Sequence, residues 1–183
     1  MLRVMDILFS ALGLIVGFPI LVAIFVVGLF DTGSPLFMQE RVGRYKKPFT
    51  LVKFRTMSRE TKSVASHLAN VSSITQLGHF LRRTKLDELP QLWNVLKGEM
   101  SLVGARPCLY SQEALIRERE ARRVLDHRPG ITGLAQVNGI DMSTPELLAE
   151  TDQKMLSSLG VKDYFSYIIQ TVSGKGAGDR VRK

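Results

Sequence analysis

From Ile7 to Phe30 the chain reads ILFSALGLIVGFPILVAIFVVGLF, 24 residues without a charge. As one helix this stretch is about 36 Å long, enough to cross a hydrocarbon core of about 30 Å. It has no basic leader before it, and AIFVVGLFD offers no A-x-A cleavage pattern, so it reads as a membrane segment that stays. Pro19 stands near its middle, with Gly13 and Gly17 just before. Two paths fit these residues. The helix can kink at Pro19 and span. Alternatively it breaks there and leaves by the leaflet it entered, each half of about twelve residues being too short to cross. The residues alone leave both open.

Before this segment stand only Arg3 and Asp6, which cancel, so the net charge of +8 lies entirely after it. The positive-inside rule then places the basic body on the cytoplasmic side. An excess of positive charge calls for anionic partners: nucleic acid, anionic lipid or phosphorylated small molecules. A single cysteine, Cys108, excludes an internal disulfide framework and suits a reducing compartment. His67, His79 and His127 are scattered, without zinc-ligand spacing.

DTGSP (31–35) ends the membrane segment as a turn cluster. PLFMQERVG and KPFTLVKFRTM carry strand-like residues around the basic turn GRYKK, which predicts an antiparallel hairpin. Residues 58–73 are polar and read as a loop or short helix. ITQLGHFLRRTKL predicts an amphipathic helix, and GEMSLVGARP a connector with a short apolar run. SQEALIREREARRVLDH is a charged helix of mixed sign, which predicts a solvated face and argues against a nucleic-acid reader. RPGITGLAQVNG is glycine-dense without the Walker pattern, yet able to offer backbone N–H groups to a phosphate. Two more helices follow; the second gathers Tyr164, Phe165, Tyr167, Ile168 and Ile169, as a core helix or one lying on a membrane would. GKGAGDRVRK, residues 174–183, reads as a flexible basic tail. The expected fold is mainly α with a small β-hairpin, a membrane helix over 1–30 and a compact body over 31–173 that carries interfacial amphipathic helices.

One stretch in the body pairs carboxylates. TKLDELPQLWNVLKGEMS places Leu89, Leu92, Trp93 and Leu96 at the spacing of one buried helical face. Pro90 fits only a first turn, so this helix is expected to begin near Asp87 or Glu88 and to stop at Gly98. Acidic residues there suit the helix dipole and serve as caps, which is the simplest account of Asp87 and Glu88. Trp93 reads as a core or interfacial residue rather than a base-stacking platform.

Cations crowd the neighbouring blocks: Lys53 and Arg55 in LVKFRTM, Arg82 in LRRTKLDELP, Arg106 in GARP, and Arg128 ahead of Gln136 in RPGITGLAQVNG. Lys53 and Arg55 alternate along a strand, as a solvated edge or a phosphate clamp would. Arg128 could cap a helix C-terminus, but a diphosphate or nucleotide contact is the preferred reading. Carboxylates among many cations, with no His/Cys cluster, suggest phosphoryl chemistry with an oxygen-liking divalent ion such as Mg²⁺, held by one or two carboxylates and substrate phosphates. An Asp can also accept a phosphoryl group covalently.

In three blocks the chain resembles the small monotopic phosphoglycosyl transferases of the bacterial sugar transferase superfamily. They are KFRTM (53–57), LDELPQLWNVLKGEMSLVGARP (86–107) and RPGITGLAQVNG (128–139), within a likeness that runs from Arg3 to about Thr171. The resemblance implies transfer of a sugar 1-phosphate from a UDP-sugar to membrane polyprenyl phosphate, with release of UMP. It also implies a re-entrant membrane helix broken near Pro19, and a place on the cytoplasmic face of the bacterial inner membrane. Asp87 would be the nucleophile and hold Mg²⁺, with Glu88 beside it; Arg82 also falls on a basic position of the family pattern. The usual GPRP reads GARP here, which predicts altered loop rigidity with Arg106 kept. ETDQKML around Asp152 lacks the tyrosines often found there. The chain resembles the minimal catalytic form rather than larger relatives with several helices at the N-terminus. The competing class is a membrane-anchored binding module that docks on anionic lipid or nucleic acid. Mixed-sign helices and the lack of an aromatic RNA-binding motif count against it, and no nucleic-acid partner is expected. The oligomeric state is open, a homodimer among the alternatives.

Overall fold

A computed structural model describes residues 1–60 and 71–176. Most of the expected loop over 58–73, and all of the basic tail after Gly176, lie outside these residues. Helix α1 (Leu2–Asp31) is helical throughout, with Pro19 inside it and no interruption at the expected break. Its apolar side chains are largely exposed, Leu8, Leu12, Ile15, Val16, Phe18 and Phe30 among them. It is long and apolar enough to cross a membrane.

Both ends of α1 are fastened to the body. Near the start, Asp6 is buried and its Oδ1 accepts from Ser101 Oγ (3.0 Å), Leu102 N (2.9 Å) and Tyr164 Oη (2.9 Å). Arg3 reaches the carbonyls of Leu96 (3.2 Å) and Met100 (3.4 Å). At the far end Asp31 Oδ2 accepts from Thr75 Oγ1 at 2.7 Å. Between these points Ile24 packs with Phe54 and Leu81 in a small apolar cluster.

Strands β1 (Leu36–Val42) and β2 (Pro48–Phe54) form the expected antiparallel hairpin, in register from Leu36↔Phe54 to Val42↔Pro48. Alternation along β2 turns Phe49 and Leu51 into the core. Helix α2 (Gln76–Thr84) follows, capped by Thr75 Oγ1, which accepts from Gly78 N at 2.9 Å. The next helix, α3 (Gln91–Lys97), begins later than the sequence suggested. A 3₁₀ turn over Leu86–Glu88 comes first, Pro90 is the N-cap, and Gly98 ends the helix at φ +85° as expected.

The buried face of α3 also differs from the expected one. Gln91, Asn94 and Val95 point inward, whereas Trp93 is 56% exposed. The helix lies between the hairpin and α1, so its two sides meet different partners. Asn94 satisfies the outer edge of β2: its Nδ2 donates to Thr50 O (2.8 Å) and its Oδ1 accepts from Val52 N (3.2 Å). Leu92 instead lies against Gly13 of α1, where a Cβ would come within 2.9 Å of Leu92 Cδ1. Trp93 faces an open apolar groove.

Within the connector read from GEMSLVGARP, Ser101–Val103 forms β3, paired in parallel with β4 (Gly130–Thr132). Neither strand was foreseen: runs of three residues are too short to show a period. Gly130 permits the crossing, since a Cβ there would stand 2.0 Å from Gly104 N. Helices α4 (Glu113–Ala121), α5 (Leu134–Val137), α6 (Pro145–Ser158) and α7 (Val161–Val172) complete the body. The charged helix α4 has the expected solvated face at Glu113, Arg117 and Glu120, but Arg119 is buried against α6. On α7, Tyr164 is core while Ile169 and Val172 are exposed, and Phe165 meets Phe9 of α1 edge to face at 5.6 Å. The main core joins Phe49, Leu51, Val95, Met100, Val103, Met155 and Tyr164. Each such side chain contributes roughly 1.5–3 kcal/mol on burial.

Candidate functional site

Asp87 and Glu88 sit in the 3₁₀ turn between α2 and α3, not at the cap of either helix. Lys85 enters that turn in the left-handed region (φ +59°, ψ 15°), a conformation costly without glycine and frequent at functional sites. The turn it opens packs against β2, and Glu88 reaches the connector at Arg106. Asp87 is buried. Glu88 Oε1 accepts from Arg106 Nη2 at 2.6 Å, a charge-assisted bond with both side chains still partly open to water.

Lys85 joins this group, and nothing singled it out in the sequence. Burial lowers its ammonium below the usual lysine value, Glu88 opposing the shift and Arg106 adding to it. Its Nζ donates to Lys175 O at 2.8 Å, which draws the chain after α7 across this side of the body. Gly176 then packs on the backbone of Gln136, close enough that a Cβ would reach 2.4 Å from Gln136 O. Gln136 Nε2 in turn faces Gly104 O at 3.5 Å, at the start of the connector that carries Arg106. Glu88, Arg106, Gln136 and Lys85 therefore belong to one ring of contacts.

The remaining residues singled out in the sequence are placed differently. Arg82 Nε donates to Thr56 Oγ1 at 2.9 Å and so ties α2 to the end of LVKFRTM. Lys53 and Arg55 both lie over the Phe37 ring, at 5.7 and 5.5 Å from its centroid. Arg55 also donates to Ser34 O (2.8 Å) and Leu36 O (3.2 Å), bracing the turn after α1; neither of the two sits on a solvated edge. Arg128 takes the capping alternative: its Nε donates to Gly98 O at 2.8 Å, at the C-terminus of α3.

An apolar groove of about 360 Å³ is walled by Leu14, Phe18, Phe25, Val52, Trp93 and Pro90 among others. Pro90 stands two residues beyond Glu88, so groove and carboxylates adjoin along the chain. Trp93 is a wall of this groove, which accounts for its exposure: the interfacial reading fits it and the core reading does not.

Among the described residues no three His, Cys, Asp or Glu side chains cluster as a protein-only metal cage. Asp87 and Glu88 offer the one or two carboxylates that Mg²⁺ takes when phosphates and water supply its other oxygens, so this donor set fits that ion.

Comparison with known proteins agrees with the three blocks. The bacterial sugar transferase family profile matches residues 1–175. The uncharacterized sugar transferase EpsL of Bacillus subtilis is 47% identical over 134 residues, covering 73% of this chain and 65% of that protein. The UDP-glucose:undecaprenyl-phosphate glucose-1-phosphate transferase of Escherichia coli is 42% identical over 142 residues, 75% of this chain and 31% of that protein. The undecaprenyl-phosphate galactose phosphotransferase of Salmonella typhimurium is 38% identical over 154 residues, 75% and 32% of the two chains. The matched part thus spans from about a third to about two thirds of these relatives.

Proposed function

This chain belongs to the bacterial sugar transferase family, and we propose that it transfers a sugar 1-phosphate from a UDP-sugar to polyprenyl phosphate, releasing UMP. The observation that carries this reading is the junction at the dyad. A carboxylate pair with Arg106 and Lys85 adjoins a groove with only apolar walls, which suits a donor diphosphate on one side and a lipid acceptor on the other. The name of the Escherichia coli relative supports the same pair of substrates, and that of the Salmonella relative supports the undecaprenyl-phosphate acceptor.

In the first step a carboxylate oxygen of Asp87 attacks the phosphorus that bears the sugar. The bond from that phosphorus to the bridging oxygen breaks, UMP leaves with the electron pair, and an acyl phosphate forms on Asp87. In the second step a phosphate oxygen of the polyprenyl phosphate attacks the same phosphorus and the Asp87 carboxylate is released. Arg106 and Lys85 offset charge on the transferring group. Glu88, held by Arg106, orients that guanidinium. Mg²⁺, when bound at Asp87, lowers the repulsion between a carboxylate and a diphosphate.

The fastening of both ends of α1 supports a monotopic arrangement. A helix bonded to one body through Asp6 and again through Asp31 keeps both ends on that body's side of the membrane. Because α1 runs unbroken past Pro19, the reading keeps the monotopic arrangement without the break, with the body at the cytoplasmic face; modification of a cysteine at position 2 by an impermeant periplasmic reagent in intact cells would overturn it. The transfer itself is tested by a panel of UDP-sugars with undecaprenyl phosphate and Mg²⁺, read as UMP. Release with at least one donor, lost on chelation, is expected; a binding module releases none.

A further inference from the structure

The connector 104–109 delivers Arg106 to Glu88, and its successive carbonyls are all engaged. Ala105 O accepts from Gly130 N (2.8 Å), Pro107 O from Arg41 Nη1 (3.1 Å) and Cys108 O from Val42 N (2.9 Å). Arg106 O itself accepts from Arg119 Nη1 at 2.7 Å. Arg119 is fixed in turn: its Nε and Nη2 donate to the same oxygen of Asp152, at 3.0 and 2.7 Å. Arg119 is 1% exposed and Asp152 fully buried, between α4 and α6.

A buried ion pair gives little net stability over well-packed apolar side chains, so stability is a weak reason for this one. Its geometry offers another. The planar guanidinium spends two donors on Asp152 and has a third aimed at the connector, so Asp152 sets the direction of that donor. Arg106 is thereby held twice, inward by its carbonyl and outward by its guanidinium on Glu88. The sequence gives the connector reason to need this. Alanine at 105 leaves a soft φ that a proline would fix, and external contacts must supply the lost rigidity.

We propose that the buried Arg119–Asp152 pair is a positioning device: by holding the Arg106 carbonyl, it places the Arg106 guanidinium on Glu88 for phosphoryl transfer. The pair touches neither substrate nor the reacting atoms. This rests on the transferase reading above, and its action passes entirely through Arg106.

The test is a double-mutant cycle on the full chain in lipid nanodiscs. Arg119→Met with Asp152→Leu removes both charges and leaves neither unpaired. The expected result is a melting temperature near that of the unaltered protein and a kcat for UMP release about 10- to 100-fold lower, since a displacement of about 1 Å costs that order of rate. In an Arg106→Met background the same two substitutions should change kcat by less than about twofold, as coupled residues do. An equal loss in both backgrounds, or full activity of the double variant, overturns the proposal. If the double variant does not fold, Arg119→Lys, which keeps the charge without the fork, carries the same cycle. If the unaltered protein releases no UMP from any donor, the transferase reading fails. The placement is then read by hydrogen exchange over residues 104–109, which should quicken in the double variant; unchanged exchange overturns it.

Discussion

Glu88–Arg106 and Asp152–Arg119 are two carboxylate–arginine pairs with nearly the same N–O separation, 2.6 and 2.7 Å. Their surroundings are opposite. In the first pair the Glu88 and Arg106 side chains keep 12% and 23% exposure, whereas in the second Asp152 and Arg119 keep 0% and 2%. Burial pushes the Asp152 carboxyl above its usual range, with Arg119 opposing the shift. Water access decides what each pair can do. An arginine reached by water can trade a carboxylate for an incoming phosphate at small cost, while a buried one cannot change partners without leaving a charge unpaired. The open pair suits chemistry and the closed pair suits placement, a distinction that contact distance alone would miss.

The comparison breaks most visibly when one partner of the closed pair is removed. Asp152→Leu leaves Arg119 buried and uncompensated, and should cost about 3–5 kcal/mol, read as a lower unfolding midpoint. The double replacement should recover most of that loss, since neither charge remains. Arg106→Met treats the open pair in the same way and should do the reverse. Stability should change by less than about 1 kcal/mol, while UMP release should fall by about 10²- to 10³-fold, as when one charge-stabilising donor is lost.

The smallest effect concerns pH. Burial lowers the Lys85 ammonium, so between its folded value and the ordinary lysine value the unfolded chain binds the extra proton. Stability should therefore rise slightly with pH as it climbs through that alkaline window. Lys85→Met should flatten the rise, measured as unfolding midpoint against pH.

The open pair was far more legible in the sequence than the closed one. Asp87, Glu88 and Arg106 lie in blocks of distinctive composition, and the hairpin and α2 show clear periods. Arg119 was hidden among the mixed charges of SQEALIREREARRVLDH, because a helix that buries one arginine through a tertiary partner has the same composition as one that buries none. Asp6 was equally hidden, counted with Arg3 as a cancelled charge, although it anchors α1 to β3 and α7. An isolated acid at the start of an apolar helix was the available signal. The inward face of α3 was misjudged for a related reason: Asn94 is buried because its amide completes the edge of β2, a tertiary demand that hydrophobic spacing does not encode.

The account stands on Asp87 as the group that takes the sugar phosphate. Intact-mass spectrometry of the protein mixed with Mg²⁺ and a UDP-sugar, without any polyprenyl phosphate, reads that directly. The unaltered chain should gain the mass of one sugar phosphate and lose it when polyprenyl phosphate is added. Asp87→Asn, still folded, should gain nothing and turn over nothing. An Asp87→Asn protein that releases UMP at the unaltered rate would contradict the account.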